Sequence, residues 1–260
     1  VGFGLQDVAE KTIFEYENIK GEALAVPVSN INPYLVDAPD LVLEKRNQPI
    51  CIVPTISYGS MANDDGHLLL DKEQRNALIA AEPATAPYIR RYMGAQEFLN
   101  NAERWCLWLK DISPSLMRSS NELRHRIEAV RKFRASSNRE ATRNLAATPS
   151  LFGEDRQPLK SYLLLPKVSS ENRPYMPIGF MPSEVIANGS ALTISDSGHY
   201  EMGVLQSKMH MAWMRAVAGR MKSDYQYSAQ IVYNNFPWPD LPEKLEPNQP
   251  QTPTHKAQTA

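Results

Sequence analysis

Gly203–Pro239, GVLQSKMHMAWMRAVAGRMKSDYQYSAQIVYNNFPWP, carries the reading of the whole chain. Counting from just before it, Met202, Leu205, Met209, Trp213 and Val217 recur at helical spacing. They form one apolar face of a helix running from about Glu201 to Ala218, with Gly219 placed as its C-cap glycine. Behind the glycine comes a loop with Arg220, Lys222, Tyr225, Tyr227 and Ser228, closed by Phe236-Pro237-Trp238-Pro239. An apolar anchor followed at once by basic, aromatic and hydroxylic side chains fits a rigid scaffold that presents groups to a large polar ligand.

Outward from this stretch, the strand signals dominate. Leu192-Thr193-Ile194, Tyr162-Leu163-Leu164-Leu165 and Met176 to Phe180 are short apolar runs, and Asp196-Ser197-Gly198 has turn chemistry. Arg104 to Leu109 is nearly continuous and short, which predicts a strand buried on both faces at the centre of a sheet. Strands are also expected at Cys51 to Val53 and His67 to Leu70, around a turn at Asn63-Asp64-Asp65-Gly66. Asp71 caps a helix reaching about Glu82, where Pro83 stops it, and Gly94 to Asn101 holds a further helical turn. The expected class is α+β: a mixed, mainly antiparallel sheet with flanking helices, ending in a buried Met-rich helix.

With 260 residues, 42% of them hydrophobic, the chain can bury a sizeable core. No run approaches the roughly 18 apolar residues of a membrane helix and the N-terminus lacks a secretory signal, so a soluble, cytoplasmic protein without a membrane partner is expected. Cys51 and Cys106 sit in apolar runs without a C-x-x-C spacing, which predicts two buried thiols and no metal. The net charge of -1 hides an asymmetry. Residues 1–86 carry -7, residues 87–143 carry +6, and the remainder is neutral. A basic block inside a balanced protein fits either a solvated helix face or a polyanion partner.

That block begins with Ser119 and Glu122, spaced as a capping box, followed by a stripe of Leu123, Ile127, Val130 and Phe133. Arg124, Arg126, Arg131, Lys132 and Arg134 occupy much of the remaining helix surface and outnumber the helix's acids, Glu122 and Glu128. Between two strands lies a second polar concentration, Ser169-Ser170-Glu171-Asn172-Arg173-Pro174-Tyr175. Arg suits guanine, Asn adenine, Glu the cytosine amino group, and Ser any of them, so this loop could read base edges; the same composition also occurs in ordinary loops.

No catalytic constellation emerges. Ile31-Asn32-Pro33-Tyr34 approaches the Asn-Pro-Pro-aromatic motif of amino-methyltransferases but lacks the second proline, and no Gly-rich strand turn precedes it, so it reads as a turn. Asn63 to Gly66 lacks the further carboxylates of a calcium loop. Neither His199 nor His210 has the spacing of a nucleophile and its base.

Several ordered blocks together resemble a known family: Gly94 to Phe98, Arg104 to Leu109, Ser169 to Pro177, and Gln206 to His210 onward through Asn235-Phe236-Pro237-Trp238-Pro239. They are similar to the C-terminal target recognition region of MmeI-like DNA adenine methyltransferases, single-chain enzymes of type IIL/IIG restriction-modification systems. The resemblance covers roughly residues 30 to 240. It implies double-stranded DNA as partner and an S-adenosylmethionine-dependent catalytic domain, outside this stretch, as the partner in cis. It implies no catalytic residue and no cofactor in the chain itself.

The organisation expected is a connector over 1–50, a recognition domain over 51–200, a helix and loop completing it over 201–242, and a flexible tail over 243–260. Val1 to Gly4 reads as the tail of a strand, as if cut from a longer protein. Base readout is assigned to Ser169, Ser170, Glu171, Asn172, Arg173 and Tyr175. Backbone contact is assigned to Arg220, Lys222, Tyr225, Tyr227, Ser228, Arg131, Lys132 and Arg134. A protein-docking scaffold without DNA specificity, its basic helix meeting an acidic surface, is the alternative.

Overall fold

A computed structural model describes residues 10–18 and 20–239 of the chain. The expected strand tail at Val1 to Gly4 and the expected tail over 243–260 lie outside these residues. The fold is α+β with mainly antiparallel sheets, as the alternation of short apolar runs and amphipathic stretches predicts. No helix among the described residues is long and apolar enough to cross a membrane.

The chain opens with a hairpin of β1 (Lys11–Tyr16) and β2 (Ala23–Val28), then runs irregularly to β3 (Ile56–Tyr58) and β4 (Leu69–Leu70). Helix α1 (Lys72–Ala81) follows, then β5 (Ile89–Met93), α2 (Ala95–Asn100) and β6 (Trp105–Leu107). Three helices come next: α3 (Pro114–Ser119), α4 (Asn121–Ala135) and α5 (Glu140–Asn144). Strands β7 (Tyr162–Pro166), β8 (Val168–Ser169), β9 (Gly179–Met181), β10 (Ile186–Ala187) and β11 (Ala191–Ser195) lead to α6 (His199–Leu205) and α7 (Lys208–Val217). Strands β12 (Gly219–Met221) and β13 (Asp224–Gln226) and a π-helical turn at Ala229–Tyr233 complete the described chain.

Besides the β1–β2 hairpin, the described residues form three sheets. One has the order β10-β5-β6-β4, one β3-β11-β7-β9, and a small one β12-β13-β8; among these strand pairs only β10–β5 is parallel. Strand β6 is interior and buried at every position, as its unbroken apolar run requires. The same holds for β7, where Leu163 and Leu165 enter one core while Tyr162 and Leu164 enter another. The sheets meet at Asn188, whose N–H donates to the Met93 carbonyl at 2.8 Å. A Cβ at Gly59 would stand 2.3 Å from the Asn188 carbonyl oxygen, so only glycine permits this approach.

Helix starts follow side-chain chemistry closely. Asp71 and Gln74 form a reciprocal capping box on α1, at 2.8 and 3.1 Å. At α4 the expected cap is off by one: Ser119 ends α3 and bonds the Leu116 carbonyl, while Ser120 accepts from Leu123 N–H at 3.0 Å. Nor does Glu122 close a capping box; it pairs with Arg126 at 2.7 Å. Glu82, from the end of α1, takes that role by accepting from the Ser120 hydroxyl and from Glu122 N–H.

Elsewhere the structure corrects the sequence reading. Cys51 to Val53 is not a strand; the pairing with β11 begins at Ile56. The Met-rich helix is two helices, because the Ser207 hydroxyl caps a new start at His210 N–H. That break changes the register. His210, Met211, Met214 and Val217 are buried, whereas Met209 of the expected stripe is 53% exposed. Gly219 is no left-handed cap either, since it begins β12, and the chain runs on past the helix.

Residues 43–50 are strapped across the C-terminal turn. Arg46 N–H donates to the Gln230 carbonyl and Ile50 N–H to that of Asn234. In return, the amides of Asn234 and Asn235 reach the carbonyls of Arg46 and Glu44 at 2.7 and 3.0 Å.

Candidate nucleic-acid interface

The two polar stretches that stand about fifty residues apart in the sequence are joined in the three-stranded sheet. Strand β13 pairs with β8, Tyr225 opposite Ser169 and Gln226 opposite Val168, and on its other side with β12. Tyr227 N–H extends the pairing by donating to the Lys167 carbonyl at 2.7 Å. The loop after β8 therefore emerges beside the β12–β13 hairpin. Glu171 N–H touches the Asp224 carboxylate at 3.4 Å, linking the two directly.

Alternation sorts the side chains of this sheet. Ser169, Tyr225 and Tyr227 are buried, so they form the floor rather than the contact surface. Tyr227 Oη lies 3.0 Å from His210 Nε2. Burial pushes the imidazole down to about 4, keeping it neutral, and drives the Tyr227 phenol well up. In the loop, Asn172 and Tyr175 are exposed and Ser170, Glu171 and Arg173 half-buried. A turn closed by Arg173 N–H on the Ser170 carbonyl at 3.1 Å holds them.

At the hairpin tip, Lys222 adopts φ 58°, the left-handed conformation that a two-residue hairpin turn demands, and points a free cation into solvent. Arg220 stacks over the Tyr225 ring at 3.8 Å and donates to the Ser223 carbonyl at 3.0 Å, so its guanidinium is held in place before any ligand arrives. Ser228 is occupied locally: its hydroxyl accepts from Ile231 N–H and starts the π-helical turn. Sequence reasoning missed Asp224 and Gln226, which alternate with the buried Tyr225 and so lie on the opposite face of β13. The Tyr-x-Tyr spacing of 225 and 227 was the signal that could have found Gln226.

A sequence profile described as the MmeI target recognition domain matches residues 37–240. The chain belongs to the MmeI target recognition domain family. It is 37% identical over 242 residues to the protein named DNA methyltransferase A of Bacillus subtilis (strain 168), covering 93% of this chain and 27% of that relative. Among solved structures it is similar to the type IIL restriction-modification enzyme MmeI in complex with DNA. That match has a TM-score of 0.88 and 45% identity, and covers 93% of this chain and 32% of MmeI. The chain thus spans about a third or less of the length of these relatives.

In this target recognition domain, the basic helix divides. Arg131 and Lys132 are exposed on α4, Arg131 within 3.7 Å of Glu128. Arg134 is not available to a phosphate, because it is fully buried and donates all five of its N–H groups to carbonyls: Ala62, Asn63, Leu145, Thr148 and Leu151, at 2.8–3.0 Å. The α4 cations adjoin the core around β6, whereas the β8–β13 sheet lies on the core that includes α7. Asn32 serves a turn, its side-chain Oδ1 accepting from Tyr34 and Val36 N–H. Among the described residues no cluster of His, Cys, Asp or Glu could hold a metal ion.

Proposed function

We propose that this chain is the DNA sequence recognition domain of an S-adenosylmethionine-dependent adenine methyltransferase of a bacterial restriction-modification system. Its catalytic portion, which binds the cofactor, lies outside the 260 residues. The observation that carries the proposal is the pairing of β8 with β13, which sets the Ser170–Tyr175 loop beside a cationic two-stranded ribbon. A ribbon of two strands fits the width of the major groove of B-DNA. The relatives named above, one a DNA methyltransferase and one solved with DNA, support the same reading.

Within it, Ser170, Glu171, Asn172 and Arg173, with Gln226 added from the structure, face base edges, and Tyr175 flanks them. Arg220 and Lys222 neutralise phosphates, and Arg131 and Lys132 supply a second cationic surface on α4. Residues 1–50 connect to the catalytic portion. The chain alone binds duplex DNA without methylating it, in the cytoplasm of its host.

Selection from a random duplex pool tests this. Arg173→Ala should change the sequence recovered, with roughly 1–3 kcal/mol lost at one position. Lys222→Ala should weaken every duplex alike and reduce the slope of log affinity against log salt by about 0.9. If neither the folded chain nor the polypeptide of the full reading frame retains any duplex at low salt, the proposal fails.

A further inference from the structure

The twelve residues of β1 and β2 include no buried side chain. Their register sets Phe14 opposite Ala25 and Tyr16 opposite Ala23, with Thr12 and Pro27 continuing the same face. Phe14 is 59% and Tyr16 56% exposed. A two-stranded hairpin is marginal in water unless something covers it, and adjacent exposed aromatic rings on a flat face mark a contact surface.

Charge says what kind of partner fits. Glu10, Glu15, Glu17 and Glu22 surround the strands against Lys11 and Lys20, so a polyanion is repelled and a protein surface is favoured. The size of the patch narrows it further. Two rings and two alanines fall well short of the roughly 800 Å² per partner of a stable dimer. A tethered partner needs far less, because its effective concentration is already high. More than two thirds of MmeI lies outside the stretch it shares with this chain.

We infer that the Phe14–Tyr16 face docks onto the methyltransferase portion of the same polypeptide. This rests on the function proposed above, and fixes how the recognition domain is held to its catalytic partner.

Hydrogen exchange of peptides spanning 11–28, compared between the 260-residue chain and the polypeptide of the full reading frame, tests the inference. At least about tenfold slower exchange is expected in the longer polypeptide. The pair Phe14→Glu and Tyr16→Glu should return it to the rate of the short chain. The same pair should leave duplex retention by the short chain unchanged, so that failure of docking and failure of DNA recognition are separately visible. Equal exchange in both polypeptides would overturn the inference. So would protection already present in the short chain, protection that appears only when duplex is added, or a reading frame that encodes no further portion.

Discussion

Replacing Arg134 by Met removes a cation from the basic block and five hydrogen bonds from the interior at once, and the two losses have different signatures. The guanidinium is fully buried, and desolvation lowers its pKa while the charge of Asp64 opposes that shift. Hydrogen bonds to a charged group contribute about 1.5–3 kcal/mol each, but burying the guanidinium costs several kcal/mol, so the five do not add. Removing the charged hub of this buried hydrogen-bond network leaves its carbonyls without a donor and costs about 3–5 kcal/mol. At roughly 2–4 °C per kcal/mol for a domain of this size, the melting temperature of Arg134→Met should fall by about 6–20 °C. Arg134→Lys should recover only part of this, because three donors on a flexible stem cannot satisfy five carbonyls spread over residues 62–63 and 145–151. The salt slope of DNA binding, measured on the folded fraction, should not change. Lys132→Met should do the reverse, with unchanged melting and a slope reduced by about 0.9. If Arg134→Met melted within about 2 °C of the parent and lost that slope instead, the assignment of Arg134 to the interior would be refuted.

Acid should weaken the floor of the interface through His210. Its folded-state value of about 4 lies below the unfolded value near 6.5, so the unfolded chain binds the extra proton first. The stability it contributes is complete above about pH 6.5 and is lost as pH falls toward 4, roughly 3 kcal/mol over that window. Urea midpoints across pH 4–7 should show the loss, and His210→Phe should flatten it. Ser120→Ala should cost about 1–2 kcal/mol in the same assay, because α4 loses its cap and the Glu82 carboxylate loses a donor.

How much of this was legible in the sequence depended on whether the deciding contact was local. Continuous apolar runs located β6, β7 and β11, because a strand buried on both faces needs no other signal. Asp71 marked the start of α1 because the backbone donor it caps lies within one turn, although its reciprocal partner Gln74 was not read. The α4 stripe was right at Leu123, Ile127 and Val130, yet its last inward position belongs to Arg134, with Phe133 37% exposed. Local composition favours phenylalanine there. What decides is a cup of carbonyls drawn from residues 62–63 and 145–151, which no short window contains. The break at Ser207 was hidden likewise, since Met209 and Met211 are equally apolar and only the serine cap decides which turns inward. Of the candidate interface, both polar stretches were visible as composition, but their union through β8 and β13 was not. Strand pairing leaves no mark on two residues as ordinary as Val168 and Ser169.

The strap of residues 43–50 over Gln230–Asn235 has a practical meaning for exchanging specificities between relatives. Start and finish of the recognition unit are stitched to each other by Arg46, Asn234 and Asn235. A graft cut inside either seam would leave the amides of Asn234 and Asn235 facing foreign carbonyls. A transplant should therefore carry Tyr34 through Trp238 as one piece, or replace only the turns at 170–175 and 220–224 and leave both hems untouched.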